Sequence, residues 1–94
     1  MKDIYYVKEI IRRNEEMILN DIGIACTTKE LAIREVEKSI DILKEDKDKF
    51  GFGECLSEYS YCDADGLYHL IFTYIDDGRL EYTWRIDTIE LIES

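Results

Sequence analysis

Few residues in this chain have the types and spacing that catalysis requires. His69 is the only histidine, and the alternation around it predicts that it faces a helix, where a structural histidine is more common than a general base. No serine lies in the Gly-x-Ser-x-Gly context of a nucleophile elbow. Cys26, Cys55 and Cys62 are odd in number and lack metal-like or redox-like spacing, which favours free thiols in a reducing cytosol. We therefore expect no catalytic residue.

The segment DADG, residues 63–66, has the composition of a calcium loop. Aligning Gly66 with the invariant glycine of such a loop places Tyr61 and Phe72 at two essential ligand positions, where oxygen ligands are needed. The segment is instead predicted to be a turn in which an aspartate caps its own backbone. The chain has no Gly-Lys-Ser/Thr phosphate loop and no dinucleotide fingerprint. We expect no metal site, no cofactor and no enzymatic activity.

The distribution of charge is the most informative feature of the sequence. Residues 1–50 contain ten basic and twelve acidic residues, and residues 51–94 contain two and ten, which gives net charges of −2 and −8 within a total of −10. A field of this sign attracts basic surfaces and opposes direct binding to nucleic-acid phosphates and anionic membranes. The expected partner is therefore a basic protein.

The composition predicts one folded domain over residues 1–94. The chain is 46% hydrophobic and contains seven Tyr, three Phe and one Trp, which is too apolar for a disordered acidic tail. The amino-terminal residues do not resemble a secretion signal, and no run of about 18 apolar residues occurs. We expect a cytoplasmic protein.

Residues 4–19 have two possible interpretations. Ile4, Val7, Ile11 and Ile18 would form an apolar stripe along one face of a helix, while the segment IYYVKEII is also typical of a strand. A tight turn at residues 14–15 gives good cross-strand pairs and favours a hairpin of strands 4–13 and 16–26. The pairs predicted by this turn are Val7 with Ile22, Tyr5 with Ile24, Ile11 with Ile18, and Lys8 with Asp21.

A helix is predicted over residues 28–45. Thr27 and Glu30 have the spacing of a capping box, with the Thr27 hydroxyl accepting from the Glu30 amide, and Cys26 and Leu31 are placed to form a hydrophobic staple. Charged residues cover the rest of the helix surface. The predicted apolar face consists of Leu31, Ala32, Val36, Ile40 and Leu43.

Three antiparallel strands are predicted after the aromatic-glycine segment 50–53, at residues 54–62, 67–75 and 80–92. The turn signals are Asp65-Gly66 and Asp77-Gly78. The fold class is α+β, an antiparallel sheet of about five strands with one long helix packed on it, in the order β-β-α-β-β-β. The second turn predicts a helix-facing set in which Ile75 opposes Leu80, Thr73 opposes Tyr82, Ile71 opposes Trp84, and His69 opposes Ile86.

The opposite face of the same strands is predicted to be unusually aromatic. It would carry Tyr59, Tyr61, Tyr68, Leu70, Phe72 and Tyr74, with Thr83, Arg85 and Asp87 towards one edge. Either the amino-terminal hairpin covers this face or the face binds a partner. Carboxylates are expected to collect at both ends of the meander. The predicted partner-binding residues are Glu54, Asp63, Asp65, Tyr68, Phe72, Tyr74, Asp76, Asp77, Glu81 and Asp87.

The β-β-α opening IYYVKEII…DIGIACTTKELAIREVEKSI followed by an acidic meander resembles a recurring type of protein. These are short, acidic, single-domain inhibitors encoded by bacteriophages and mobile elements, some of which mimic DNA. The resemblance implies a non-enzymatic inhibitor without a cofactor, whose partner is a host protein that binds DNA or RNA. The alternative function is an ordinary cytosolic interaction module, or a homodimer joined through the aromatic face or an open sheet edge.

Overall fold

The computed structural model describes residues 2–14, 16–76 and 78–91, with the side chains of residues 18–22 and of Leu91 outside the description. Five strands form one antiparallel sheet in the order β2-β1-β5-β4-β3, with α1 packed on one face. This confirms the predicted fold class and element order. Each described boundary lies within two residues of its prediction. The elements are β1 (Lys2–Arg13), β2 (Glu16–Cys26), α1 (Lys29–Asp46), a 3-10 turn (Lys47–Lys49), β3 (Cys55–Cys62), β4 (Tyr68–Tyr74) and β5 (Gly78–Leu91).

The β1–β2 hairpin is confirmed near its turn, and the predicted register is wrong further along. Arg13 pairs with Glu16 as predicted, and Asn14 has a φ of 49°; Glu15 lies outside the described residues. Two register shifts then each add one residue to β2. Such a bulge displaces every later pair, and the apolar pattern does not reveal it. The observed pairs are Val7 with Ile24, Tyr5 with Cys26, Lys8 with Gly23, and Ile11 with Leu19.

Helix α1 begins one residue later than its predicted cap. Thr28, in extended conformation, is the N-cap, and its hydroxyl accepts from the amide of Leu31 at 3.2 Å. The predicted pairing of Thr27 with Glu30 is therefore wrong. Leu31 is largely exposed while Cys26 is buried, so the predicted staple is wrong as well. The remaining apolar face is confirmed, because Ala32 and Val36 are fully buried and Ile40 and Leu43 pack against the core.

The β4–β5 register differs from the prediction by three residues. Tyr74 pairs with Gly78 and Phe72 pairs with Leu80, so three residues separate the strands where a two-residue turn was predicted. Gly78 has a φ of +76°, in the left-handed region that glycine adopts without penalty. An odd shift moves every side chain of one strand to the other face of the sheet. The predicted orientation of β5 is confirmed, and that of β4 is wrong.

The core therefore contains the aromatic residues that were predicted to lie opposite the helix. Leu70, Phe72 and Tyr74 join Tyr82 and Trp84 in a single buried cluster beneath α1. The rings of Tyr82 and Trp84 stack at 5.8 Å, and Phe72 meets Tyr82 edge-on at 6.4 Å. Burial of a large apolar side chain contributes roughly 1.5–3 kcal/mol. This cluster is therefore a main source of the fold's stability.

Candidate functional site

The predicted aromatic surface is divided between the two faces of the sheet. Tyr59 and Tyr61 are exposed on the face away from α1, whereas the predicted binding residues Tyr68, Phe72 and Tyr74 lie on the core side. Phe72 is 0% exposed and Tyr74 is 3% exposed, and Tyr68 packs partly buried against the same cluster. The Tyr74 hydroxyl donates a hydrogen bond to the Lys47 carbonyl at 2.8 Å, and burial raises the pKa of Tyr74 to about 12. These three residues are thus corrected from partner-binding residues to structural ones. Phe50 and Phe52, in the segment that follows α1, contact Phe72 and Tyr74, and the amino-terminal hairpin extends the same sheet and does not cover them.

The face of the sheet turned away from α1, which we call the open face, is basic. Alternation along β1 and β5, whose ladder has no register shift, places five basic and two acidic side chains on it, a net charge of +3. Since the whole chain carries −10, the remaining residues carry −13. Charge is thus segregated by surface, whereas the sequence predicted segregation between halves of the chain. The charged residues of the open face are Lys2, Lys8, Arg12, Arg79, Arg85, Glu81 and Asp87.

Two of the predicted acidic binding residues are neutralised on this open face. Glu81 contacts Arg79 at 3.1 Å and Arg12 at 3.8 Å, and Asp87 contacts Arg85 at 2.9 Å. A paired carboxylate offers little negative field to an incoming partner. Glu81 and Asp87 therefore do not form part of a free acidic surface.

Asp63 organises the β3–β4 turn, as the sequence predicted for an aspartate that caps its own backbone. One carboxylate oxygen accepts from the amides of Asp65 at 2.9 Å and Leu67 at 3.0 Å. The other lies 2.8 Å from Nε2 of His69. The hydrogen bond from His69, followed by those from the backbone, lowers the pKa of Asp63.

His69 lies on the open face, which corrects its predicted position beneath the helix. Its Nδ1 is 3.4 Å from the Thr83 hydroxyl, and its ring stacks on Tyr61 at 4.6 Å. The order carboxylate, imidazole, hydroxyl is that of a nucleophilic triad. Thr83, however, is only 7% exposed and lies in the middle of β5. The network therefore holds the turn and the two strands together, and its hydroxyl is not presented to a substrate.

Unpaired carboxylates gather where α1 ends and β3 begins, at a site we call the acidic end. It consists of Asp48, Glu54 and Asp76. The Glu54 carbonyl accepts from the Ile75 amide at 2.9 Å, and the Asp76 carboxylate lies against Gly53. Asp48 is close enough to Tyr74 to contribute to the raised pKa of its hydroxyl. None of the three carboxylates has an ion pair with a described residue.

The other predicted acidic residues that the structure describes divide between two sites. Glu54 and Asp76 lie at the acidic end, while Asp63 and the exposed Asp65 lie at the opposite end of β3 and β4. A strand of seven residues spans about 24 Å, which separates the two groups. Asp77 lies outside the described residues. Asp48 was not among the predicted binding residues, because the charged segment EDKDK that contains it was interpreted as a solvated helix end.

Glu9 is a further titratable group, on the helix side of the sheet. Burial raises its pKa, and the indole N–H of Trp84 opposes that shift. Nε1 of Trp84 is buried and makes no hydrogen bond of normal geometry with described atoms, so the indole acts on Glu9 as a dipole at longer range. Glu9 also lines a small cavity of about 180 Å³ beside Ser39, Ile42 and Leu43.

Three comparisons with known proteins bear on identity. No protein-family model, no curated protein and no solved structure matches this chain. Among the described residues, no three His, Cys, Asp or Glu side chains are grouped to hold a metal ion. Within the same residues, no helix has the length and apolar character needed to cross a membrane. The arguments for function therefore depend on the charge and shape of the surfaces.

Proposed function

We propose that this protein is a non-enzymatic inhibitor or regulator that occupies a basic, nucleic-acid-binding site on another protein. The acidic end is the proposed contact surface. The observation that supports it most directly is that Asp48, Glu54 and Asp76 form no ion pair with any described residue, whereas the carboxylates of the open face are paired. Unpaired carboxylates are available to the lysine and arginine side chains that would otherwise bind phosphates.

The geometry of the acidic end suits this role. It is built from the segment between α1 and β3 and from the β4–β5 turn. The Phe52 ring of that segment packs edge-on against the buried Tyr74 ring at the end of β4, with 5.5 Å between the ring centroids. Asp48, Glu54 and Asp76 are all exposed, and together they present negative charge to a basic surface as phosphates do. The proposed partner is a basic host protein, as with the acidic inhibitors that the sequence resembles.

The test is capture from a bacterial lysate at low and high salt with three immobilised proteins. The first is wild type, the second carries D48N, E54Q and D76N, and the third carries E37Q, D41N and E45Q on the exposed surface of α1. Basic nucleic-acid-binding proteins should bind wild type and the helix variant, and binding to the acidic-end variant should be about tenfold weaker. Equal loss in both variants would show that only total charge matters.

A second candidate function is a homodimer joined through the free edge of β3. Seven of the eight residues of β3 are exposed, and Glu58 is its only charge. Leu56 and Tyr59 are 58% and 61% exposed. The other edge strand, β2, is interrupted by two register shifts, whereas β3 has one, between Cys55 and Ser57 at its beginning. A long, nearly neutral edge is a template for pairing with another chain, and the protein contains no proline to prevent it.

The self-pairing register follows from symmetry. Two antiparallel β3 strands related by a two-fold axis normal to the sheet must pair residues of the same face, so one residue opposes its own copy. Centring on Glu58 would oppose two like charges, which is unfavourable. Centring on Tyr59 instead places Tyr59 against its copy and Glu58 against Ser60. It also brings together the Tyr59 and Tyr61 rings, 5.2 Å apart within one chain, with those of the second copy.

A further inference from the structure

A cleft of about 420 Å³ opens on the open face, at the end of the sheet where the β1–β2 hairpin turns. It is lined by Arg12, Asn14, Arg79 and Glu81. Arg12 and Glu81 are opposite one another in the β1–β5 ladder. The Asn14 amide donates to the Arg79 carbonyl, and the Asn14 side-chain oxygen accepts from the Arg79 amide, each at 2.8 Å. Two arginines are thus positioned on either side of one opening by backbone pairing and by the hairpin turn.

The charges of this cleft do not cancel. Among the described residues that line the cleft, Glu81 is the single carboxylate; its side chain is 19% exposed, while those of Arg12 and Arg79 are 42% and 50% exposed. Glu81 accepts one hydrogen bond of normal length, from Arg79 at 3.1 Å, and lies 3.8 Å from Arg12. Each guanidinium has about five N–H donors. The four described lining residues therefore carry a net charge of +1, and both guanidinium-bearing side chains are about half exposed.

The geometry selects among anions. A carboxylate is matched by the paired donors of one guanidinium, and here Glu81 already supplies a carboxylate. A phosphate monoester carries close to two negative charges and three terminal oxygens, so it can accept from both arginines at once. A long nucleic-acid strand would carry many charges into the field of a protein with a net charge of −10, which disfavours it relative to a small ligand.

We propose that the cleft between Arg12 and Arg79 binds the phosphate group of a small ligand, either inorganic phosphate or a phosphate monoester. The two guanidinium groups donate to its oxygens from opposite sides. Glu81 attracts both arginines when the cleft is empty and repels the bound anion. Substitutions at the cleft are therefore expected to change phosphate affinity in opposite directions. Loss of the Glu81 charge should strengthen binding, while loss of either arginine should weaken it.

The experiment is titration of the ¹⁵N-labelled protein, followed by NMR at constant ionic strength. The ligands are inorganic phosphate, adenosine monophosphate and a short single-stranded oligonucleotide without terminal phosphates. The first two should produce saturable shifts at the Asn14 and Arg79 amides. The oligonucleotide contains only phosphate diesters and should bind at least about tenfold more weakly than adenosine monophosphate. Oligonucleotide binding of equal strength that is lost in K8Q would overturn the assignment to a small ligand.

Three variants complete the test. R79Q should weaken binding about tenfold or more, because a charge-assisted pair of hydrogen bonds is lost. E81Q should strengthen it several-fold, since a like charge is removed. R85Q makes the same change in charge elsewhere on the open face and should alter affinity less than twofold. A dispersed spectrum for each variant establishes folding. No saturable shifts in wild type, weaker binding in E81Q, or equal loss in R79Q and R85Q would overturn the proposal.

Discussion

Asp63 shows how one carboxylate can fix both a turn and a histidine. Its two oxygens accept from two backbone amides of the β3–β4 turn and contact Nε2 of His69. These contacts favour the ionised form and lower the pKa of Asp63. The turn itself could be predicted from the DADG segment. The contact with His69 could not, because it depends on the β4 strand facing opposite to its predicted direction.

The lowered pKa of Asp63 predicts how the stability of the fold changes at acidic pH. A folded pKa below the unfolded value means that Asp63 stabilises the fold above the unfolded pKa, and that this contribution is lost as the pH falls through the folded pKa. D63N should therefore lower the melting temperature at pH 7, and its difference from wild type should shrink at pH values below about 4. D65N, in which an exposed carboxylate is replaced, is the control. A constant difference between D63N and wild type at all pH values would contradict this assignment.

Strand β4 shows that turn length can decide which residues form a core. The chain reverses between β4 and β5 close to the predicted Asp77-Gly78 turn, but Gly78 is already paired with Tyr74 as the first residue of β5, and this register inverts the face of β4 relative to the prediction. The sequence contained a competing signal: Tyr68, Leu70, Phe72 and Tyr74 share one face, opposite His69, Ile71 and Thr73. Burial of the larger apolar set contributes more stability. Comparing the two faces of β4 therefore predicts its orientation better than the expected turn length does. The helix and all five strands, by contrast, followed from periodicity and turn residues.

The edge of β3 gives a prediction about association. Sedimentation velocity should detect a dimer of wild type that becomes more abundant as salt rises, because salt screens the repulsion between two copies with a charge of −10. Y59K should remain monomeric, since it places two like charges at the centre of the pairing. M17K, which adds the same charge to an exposed residue of β2, should behave as wild type. Monomers at every salt concentration, or equal behaviour of Y59K and wild type, would exclude this edge as the interface.

The molecule as a whole separates its charges between surfaces. Lys8 lies directly opposite Arg85 on the open face, while Asp3 lies opposite Glu90 on the helix side. Like charges in direct cross-strand pairs are destabilising, so this arrangement opposes stability. The sequence predicted the net charge and its sign. It could not predict this separation, because the face of each residue depends on strand pairing between distant parts of the chain.

Displacement of nucleic acid tests the proposed function most directly. A basic partner recovered by capture is loaded with fluorescently labelled duplex DNA or single-stranded RNA, and wild type is added at low salt. Wild type and the helix variant with E37Q, D41N and E45Q should displace the nucleic acid, because both ligands need the same lysine and arginine side chains. The variant with D48N, E54Q and D76N should displace it about tenfold less effectively. A stable ternary complex of partner, nucleic acid and wild type would contradict the proposal.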